Sequence, residues 1–389
     1  MKTEQQPLHV VQISRDTDLL RLLSDSEPVQ RQLDYARELE RRVPGALVTI
    51  LVLNRNGHLG GWQLENLRTV PVGWSLRGTL DCLRILHRLH RTTPISVITT
   101  QVPYDEAWLA LVAGRWHGIP VIGQIHSDVF TEHPAARAAG GVVRAFRGWV
   151  ARRTLGAFAA VRTVSSESRT SSARFAATVP LTTIPVPVAM VSPHARVPPS
   201  SHKQPLVIFV GRLAPDKDLS TWLKVAHTVS QLHPETRFEM IGDGPERARL
   251  EHEAAALGLR GVLSFEGIVP YARLREVYAR AAVLLLTSRD EAFGRVLVEA
   301  ASQGTPAVAT SLSGPREVII NGVTGFLHEV GDVDGLTRSV STLLGQPQRA
   351  AFMGARAREL VTVKFDPERL RAAWVNLWID TARAGQSAS

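Results

Sequence analysis

One segment of the chain constrains its fold and chemistry more than any other. The apolar run 283–286 leads into a polar loop, after which a helix is predicted to begin near Gly294 and to end at Gly304. Two glutamates, Glu291 and Glu299, stand on either side of the helix start. At about 1.5 Å of rise per residue their spacing spans roughly 12 Å at most, close to the length of a nucleoside diphosphate sugar. The spacing therefore suits one glutamate binding a sugar and the other a ribose.

The first amides of the same helix are a second candidate binding feature. Amides at 294–296 have no partners within a helix and can bind an anion such as phosphate. On the glutamates alone, a loop acid followed by an acid on the helix surface is an equally good interpretation. The choice between the two depends on the motifs around them.

Further motifs follow in a fixed order over about 120 residues. They are Gly211-Arg212-Leu213 with Lys217, Gly242-Asp243-Gly244-Pro245, Phe265-Glu266-Gly267, the run 304–310 and Gly325-Phe326-Leu327. Together with the two glutamates, this ordered set resembles retaining family-4 glycosyltransferases (glycosyl transferases group 1). The resemblance implies the GT-B fold, an α/β architecture of two Rossmann-like, doubly wound parallel-sheet domains with an interdomain cleft.

The resemblance also implies roles for particular residues. The catalytic candidates are His126, Arg212, Lys217 and Glu291. The donor-binding candidates are Gly211, Arg212, Lys217, Gly242, Phe293, Gly294, Arg295, Val296 and Glu299. The candidates on the acceptor side are Arg15, Asp16 and Asp128, for which a plain polar loop is the alternative.

The negative charge that develops during transfer explains why two cations would be needed near the donor. Transfer from a nucleotide sugar expels a nucleoside diphosphate, so negative charge grows on the β-phosphate, and fixed cations lower the barrier. Arg212 can fork onto two phosphate oxygens, while Lys217 acts as a point charge. The family usually has glycine after this lysine, but here the residue is Asp218. His126 follows a predicted strand and can donate to a sugar hydroxyl or to phosphate near neutral pH.

No metal motif is apparent, and the resemblance implies a metal-independent enzyme that needs no cofactor. His87 and His90 stand three positions apart on a predicted helix among arginines, which is more typical of a solvated surface than of a zinc site. Retention of the anomeric configuration is also implied. No clear carboxylate nucleophile is apparent, so the resemblance favours a front-side displacement in which the leaving phosphate helps to deprotonate the acceptor.

Two series of alternating strands and helices predict two parallel sheets. The predicted domains are 1–190 on the acceptor side, a linker at 191–205, and 206–365 as the nucleotide-sugar domain. The remainder, 366–389, is predicted as a helix that crosses back to the first domain, followed by a frayed tail. In the first series, strands are predicted at 8–13, 46–53, 95–98 and 120–125, with helices at 29–43, 80–91 and 105–116.

Composition agrees with a chain that works in a reducing compartment. Cys82, the one cysteine, rules out an internal disulfide framework, and a buried helix thiol is a better interpretation than a nucleophile. No signal peptide and no apolar run long enough to span a membrane is visible, which predicts a cytoplasmic protein.

The net charge is +9, and residues 1–200 hold 23 Lys and Arg against 15 Asp and Glu. Such a field suits an anionic partner.

The stretch 144–153 interleaves arginines with aromatic residues. It could lie on the anionic inner face of a membrane, but a core helix with an arginine-rich solvent face is the better interpretation. No nucleic-acid recognition motif accompanies it, so no nucleic-acid partner is expected.

The resemblance therefore implies a retaining hexosyltransferase. The donor would be a nucleoside diphosphate sugar, with a UDP-sugar favoured over a GDP-sugar, and the acceptor a hydroxyl of a saccharide, a lipid-linked sugar or a small molecule. The product would be a polysaccharide or other glycan, a glycolipid or a glycosylated metabolite. A GT-B epimerase or hydrolase, and a nucleotide-binding module without transfer activity, remain alternatives.

Overall fold

The computed structural model describes residues 7–21, 27–54, 60–73, 76–101, 105–126, 149–150, 152–176, 178–188, 190 and 203–388. Contacts between Cα atoms divide the chain into two compact units. The first comprises Met1–Pro187 together with Glu368–Ser389, and the second comprises Val188–Pro367. The last helix therefore belongs to the first unit, although it follows the second unit in sequence.

The first unit is built on an eight-stranded sheet in the order β3-β4-β2-β1-β5-β6-β7-β8. All neighbouring strands pair in parallel except β3, which pairs antiparallel with β4 at the edge. The strands are β1 (His9–Ser14), β2 (Leu47–Asn54), β3 (Gln63–Leu64), β4 (Leu67–Gly73), β5 (Val97–Thr100), β6 (Val121–Ile125), β7 (Ala160–Thr163) and β8 (Leu181–Thr183).

Helices flank this sheet. They include α1 (Glu27–Arg42), α2 (Leu76–Thr92), α3 (Asp105–His117), α4 (Ser166–Ala173) and, from the end of the chain, α12 (Pro367–Ala388). Helix α12 is fixed by aromatic contacts: Trp378 packs edge-on against Tyr35 with ring centroids 5.8 Å apart, and Arg162 stacks 4.6 Å over Trp374. Cys82 is buried in α2, and burial raises the pKa of its thiol to about 12.

The second unit holds a six-stranded sheet in the order β11-β10-β9-β12-β13-β14, parallel throughout. Its strands are β9 (Gln204–Val210), β10 (Arg237–Ile241), β11 (Leu263–Gly267), β12 (Ala281–Leu286), β13 (Ala307–Thr310) and β14 (Gly325–His328). Its helices are α5 (Leu219–Leu232), α6 (Arg247–Ala256), α7 (Tyr271–Arg280), α8 (Arg295–Ser302), α9 (Ser313–Val318), α10 (Val333–Gly345) and α11 (Pro347–Lys364).

The second sheet is doubly wound. Helix α5 packs with α10 and helix α8 packs with α11, while the last five residues of β9 and all of β12, in the middle of the sheet, are buried. A strand covered on both faces must be apolar along its length, which explains the continuous run of β12. None of the described helices is both long enough and apolar enough to cross a bilayer.

The predicted class of two doubly wound α/β units is confirmed, and the predicted strands lie within two residues of their observed bounds at each end. The edge hairpin β3–β4 was not predicted, because β3 has only two residues and β4 contains Pro71, which is unusual within a strand. The last helix extends through Ala388 and thus includes most of the stretch predicted as a tail. Gly385 allows this extension because it lies directly against Pro120, leaving no room for a side chain.

Candidate active site

The residues predicted to bind the donor converge at one edge of the second sheet. Chain order reverses between the adjacent strands β9 and β12, since β10 and β11 extend to one side and β13 and β14 to the other. In open α/β sheets, ligands bind outside the carboxyl ends of the strands at such a reversal. The loops that follow β9, β10 and β12 meet there and carry most of the predicted donor residues.

Glycines allow two of these loops to approach each other closely. Gly211 follows β9 and Gly242 follows β10, and both have positive φ. A Cβ atom at position 242 would lie only 1.9 Å from the Gly211 carbonyl oxygen, so no other residue fits there without moving the backbone. The two glycines therefore set the path of the loop that carries Arg212 and Lys217.

Four charged side chains form a compact cluster beside this loop. Lys217 Nζ donates to Glu291 Oε2 at 2.9 Å and also lies 3.3 Å from Asp216 Oδ2. The other oxygen of Asp216 lies 3.6 Å from Arg212 Nη2. Arg212 is the most exposed member, with 70% of its side chain accessible, whereas the other three are each below 20%. The cluster is balanced, with two cations and two carboxylates.

Lys217 keeps its positive charge in this setting. Burial by itself would lower its pKa, but Glu291 and then Asp216 act in the opposite direction, and the net effect is a pKa above the usual value. A lysine held charged at the carboxyl edge of a sheet is well suited to meet phosphate oxygens.

Glu291 links the cluster to the start of helix α8. Its second oxygen, Oε1, accepts a hydrogen bond from the amide of Gly294 at 3.0 Å. Gly294 is the N-cap and has a φ of +77°, a left-handed conformation that favours glycine. One of the amides predicted to bind phosphate is thus satisfied by Glu291, which fixes the geometry of the loop before any ligand arrives.

Glu299 lies one turn into helix α8 and is almost fully buried. Tyr278 donates its hydroxyl to Glu299 Oε2 at 2.8 Å, and Arg295 Nη2 lies 3.7 Å from Oε1. Burial, followed by the negative charge of Glu299, raises the pKa of Tyr278 well above its usual value, so the phenol remains a donor. The carboxylate is therefore held in place from two sides.

The remaining donor candidates contribute in different ways. The ring of Phe293 is buried edge-on against Phe365, with centroids 5.4 Å apart. Val296 is partly exposed on the first turn of α8. Phe293 thus anchors the loop to the core of the second unit.

Asp218 occupies the position where glycine is usual, and it adopts the left-handed conformation with a φ of +46°. Its carboxylate is buried and turned to Arg289, with Oδ2 3.0 Å from Nε. It also accepts a hydrogen bond from Thr221 at 2.9 Å. The acid is therefore engaged away from Lys217, at the start of helix α5.

His126 lies in the first unit, immediately after β6. Its Nε2 atom is buried and has no hydrogen-bond partner among the described residues. Burial, and then the positive charges of Arg162 and Arg31, lower the pKa of His126 to about 3. The imidazole is therefore neutral near pH 7.

The acceptor candidates in the first unit are engaged in local structure. Arg15 Nε lies 3.1 Å from the buried carboxylate of Glu106. Asp16 caps a short 3-10 turn by accepting from the amide of Asp18 at 3.1 Å, and burial raises its pKa. Asp128 lies outside the described residues, as does most of the stretch 144–153.

Sequence reasoning missed three residues that organise the site. Asp216 bridges the two cations, Tyr278 holds Glu299, and Arg289 pairs with Asp218. Asp216 directly precedes Lys217 in the sequence, so its place beside the lysine could have been found from the sequence. Tyr278 is 21 positions from Glu299 and on another helix, and no local pattern connects them.

Comparison with known proteins agrees with this geometry. Residues 193–360 match the family described as glycosyl transferases group 1. This part of the chain is similar to that family, and the match spans less than half of the chain. The match covers most of the second unit, including both glutamates and both cations. The resemblance inferred from the ordered motifs is thus confirmed.

One similar relative is the 2-deoxystreptamine N-acetyl-D-glucosaminyltransferase of Niallia circulans, 30% identical over 44% of this chain and 44% of its own length. The chain thus spans less than half the length of this relative. Among solved structures, sucrose-phosphate synthase from Thermosynechococcus elongatus superposes with a TM-score of 0.79 at 19% identity, covering 98% of this chain and 100% of that one. HepE of Anabaena, solved with UDP and glucose, gives 0.73 at 17% identity, covering 96% and 100%. These neighbours establish the GT-B fold.

Proposed function

We propose that the chain is a glycosyltransferase that moves a hexosyl unit from a nucleoside diphosphate sugar to a hydroxyl acceptor. One observation carries the proposal: Arg212, Lys217 and Glu291 lie close together at the carboxyl edge of the second sheet. Glu299 lies in helix α8, which begins directly after the loop that contains Glu291. The N-acetylglucosaminyltransferase activity of the Niallia circulans relative and the UDP bound by HepE support it.

In this proposal each residue meets a different part of the donor. Arg212 and Lys217 bind the diphosphate, Glu291 binds the hexose and Glu299 binds the ribose. The backbone around Gly211, Gly242 and 293–296 encloses the nucleotide. UDP is the preferred nucleotide.

The reaction is proposed to retain the anomeric configuration. The bond between the anomeric carbon and the diphosphate oxygen breaks, and the acceptor oxygen bonds to the same face of the sugar. The acceptor proton passes to the leaving phosphate. The charge that develops there is met by Arg212 and Lys217, which perform the task that a divalent cation performs in other enzymes, so turnover is metal-independent.

Two glutamate variants test the assignment of the donor. Glu299→Ala should weaken the binding of UDP itself, because it removes the proposed ribose contact, by about 1.5–3 kcal/mol for a hydrogen bond to a charged group. Glu291→Gln should weaken binding of the UDP-sugar much more than that of UDP. Glutamine is preferred to alanine at position 291 because it preserves the bond to the Gly294 amide through its oxygen.

Calorimetric titration of UDP, GDP and UDP-sugars into each variant decides the matter, with Glu359→Gln, an exposed acid on α11, as the control. Equal losses for UDP and UDP-sugar in both variants would contradict the assignment. Binding without transfer to any acceptor would favour a nucleotide-binding module, and turnover that is lost with EDTA and restored by magnesium would contradict metal independence.

A further inference from the structure

The carboxylate of Asp216 occupies the space between the two cations that the proposed function assigns to the diphosphate. Oδ1 lies 3.6 Å from Arg212 Nη2, and Oδ2 lies 3.3 Å from Lys217 Nζ. One oxygen is thus directed to each cation, as two oxygens of a phosphate group would be. We propose that Asp216 is an internal anion that competes with the donor diphosphate for Arg212 and Lys217.

The backbone of Asp216 is held firmly, so the competing charge remains close after a ligand binds. Its carbonyl oxygen accepts from the amide of Arg289 at 2.8 Å. The next residue, Lys217, is fixed in turn by Thr287, whose hydroxyl donates to the Lys217 carbonyl at 3.0 Å. The carboxylate can change its rotamer, but it cannot leave the neighbourhood of the two cations.

The electrostatic consequence concerns release as well as binding. Glu291 and Asp216 together cancel the charges of Arg212 and Lys217, so the empty cluster offers a diphosphate no net positive charge. A nucleoside diphosphate that remains after transfer is therefore held less tightly than two free cations would hold it. Asp216 favours its departure, since its carboxylate takes the place of the leaving phosphate oxygens.

Asp216→Asn tests the inference, because it keeps the shape of the side chain and removes the charge. The inference rests on the proposed function, so UDP and inorganic pyrophosphate are both used as probes. Both should bind roughly fivefold more tightly to Asp216→Asn than to the wild type, the size expected for one unit charge at about 4 Å in water. The dissociation rate of UDP should fall by a similar factor.

Salt provides a readout that a merely structural role would not move. The variant cluster carries one net positive charge, so its UDP affinity should decline more steeply with added NaCl than that of the wild type. Glu359→Gln, which removes an equal charge from the exposed pair with Arg356, should leave both affinity and salt dependence unchanged. Melting temperatures without ligand check that each variant is folded.

The outcomes separate the two proposals. Binding of UDP by the wild type that is measurably weaker in Arg212→Ala supports the site. If Asp216→Asn then binds UDP no more tightly than the wild type, Asp216 only positions the cations or has no effect on binding. In that case the inference is overturned and the proposed function stands. If neither the wild type nor Asp216→Asn binds UDP, GDP or pyrophosphate, the inference and the proposed function are both overturned.

Discussion

At the scale of single residues, the cations and carboxylates of the cluster differ in how strongly the protein holds them. Arg212 is largely exposed and, among the described residues, forms an ion pair with Asp216 only, whereas Lys217 is mostly buried between two carboxylates. Arg212 is therefore the cation that can move onto a ligand with little cost, and Lys217 the one that is already in place.

This difference predicts the effect of Arg212→Ala. Charge on the leaving oxygen exists only near the transition state, and interactions confined to that state raise kcat. The variant should transfer sugar about 100- to 1,000-fold more slowly, with a smaller loss of donor affinity. Single-turnover rates at saturating UDP-sugar measure this, with Arg316→Ala, a cation on α9, as the control. A normal rate with only a raised Kd would make Arg212 a binding contact.

A second prediction concerns Tyr278, which donates to a buried carboxylate of the proposed ribose site. Tyr278→Phe removes only the hydroxyl, so it should weaken UDP binding by about 1–2 kcal/mol because Glu299 loses a partner that orients it. A double-mutant cycle with Glu299→Gln provides the check by calorimetry. If the hydroxyl acts through Glu299, the two losses will not add; additive losses would show that Tyr278 acts independently.

At the scale of elements, the sequence predicts the strands of the sheet better than the conformations of the loops. The buried strands are apolar runs, and helix α8 is marked by glycines at both ends, so their positions could be predicted. The conformation of Asp218 could not, because a left-handed aspartate is uncommon and only its partners Arg289 and Thr221 make it favourable here. The cluster around Asp216 also depends on side-chain rotamers that no spacing specifies.

The glycines at the two ends of helix α8 allow a matched experiment. Gly294 and Gly304 have φ values of +77° and +68°, so alanine at either position should lower the free energy of unfolding by about 1–2 kcal/mol. Of these two glycines, Gly294 is the one that donates to the Glu291 carboxylate, and a Cβ there would lie 2.8 Å from Leu297 Cδ1. Gly294→Ala should therefore also weaken UDP-sugar binding, whereas Gly304→Ala should not. Thermal melts and titrations of both variants test this, and equal binding by the two would contradict it.

At the scale of the whole molecule, the two units differ in their buried titratable groups. Among the described residues of the first unit, burial lowers the pKa values of His9 and His126 to about 4 and about 3, so both rings are neutral near pH 7. The second unit buries Lys203, whose pKa is lowered to about 8 by burial and whose ammonium donates to carbonyl groups at the end of helix α7. Lowering the pH should therefore destabilise the first unit before the second.

His9 makes this expectation specific. Its Nδ1 bonds to the Thr93 carbonyl at 3.0 Å and its Nε2 to the Thr49 hydroxyl at 2.8 Å, an arrangement that suits the neutral ring. Between pH 6.5 and about 4 the unfolded chain binds a proton at His9 and the folded chain does not, so stability falls as the pH falls. From pH 6.5 to 5 the loss should be about 1.5 kcal/mol.

Comparison of His9→Gln with the wild type isolates this contribution. The variant cannot titrate at position 9, so its first unit should lose about 1.5 kcal/mol less than that of the wild type between pH 6.5 and 5. The control is His252→Gln, at an exposed position on α6, which should behave like the wild type. The two units need not unfold together, so unfolding in urea is monitored by hydrogen exchange of peptides from β1 and β2, which report on the first unit. The same acid-dependent loss in His9→Gln and the wild type would show that His9 does not titrate across this range, and that another group in the first unit causes the loss.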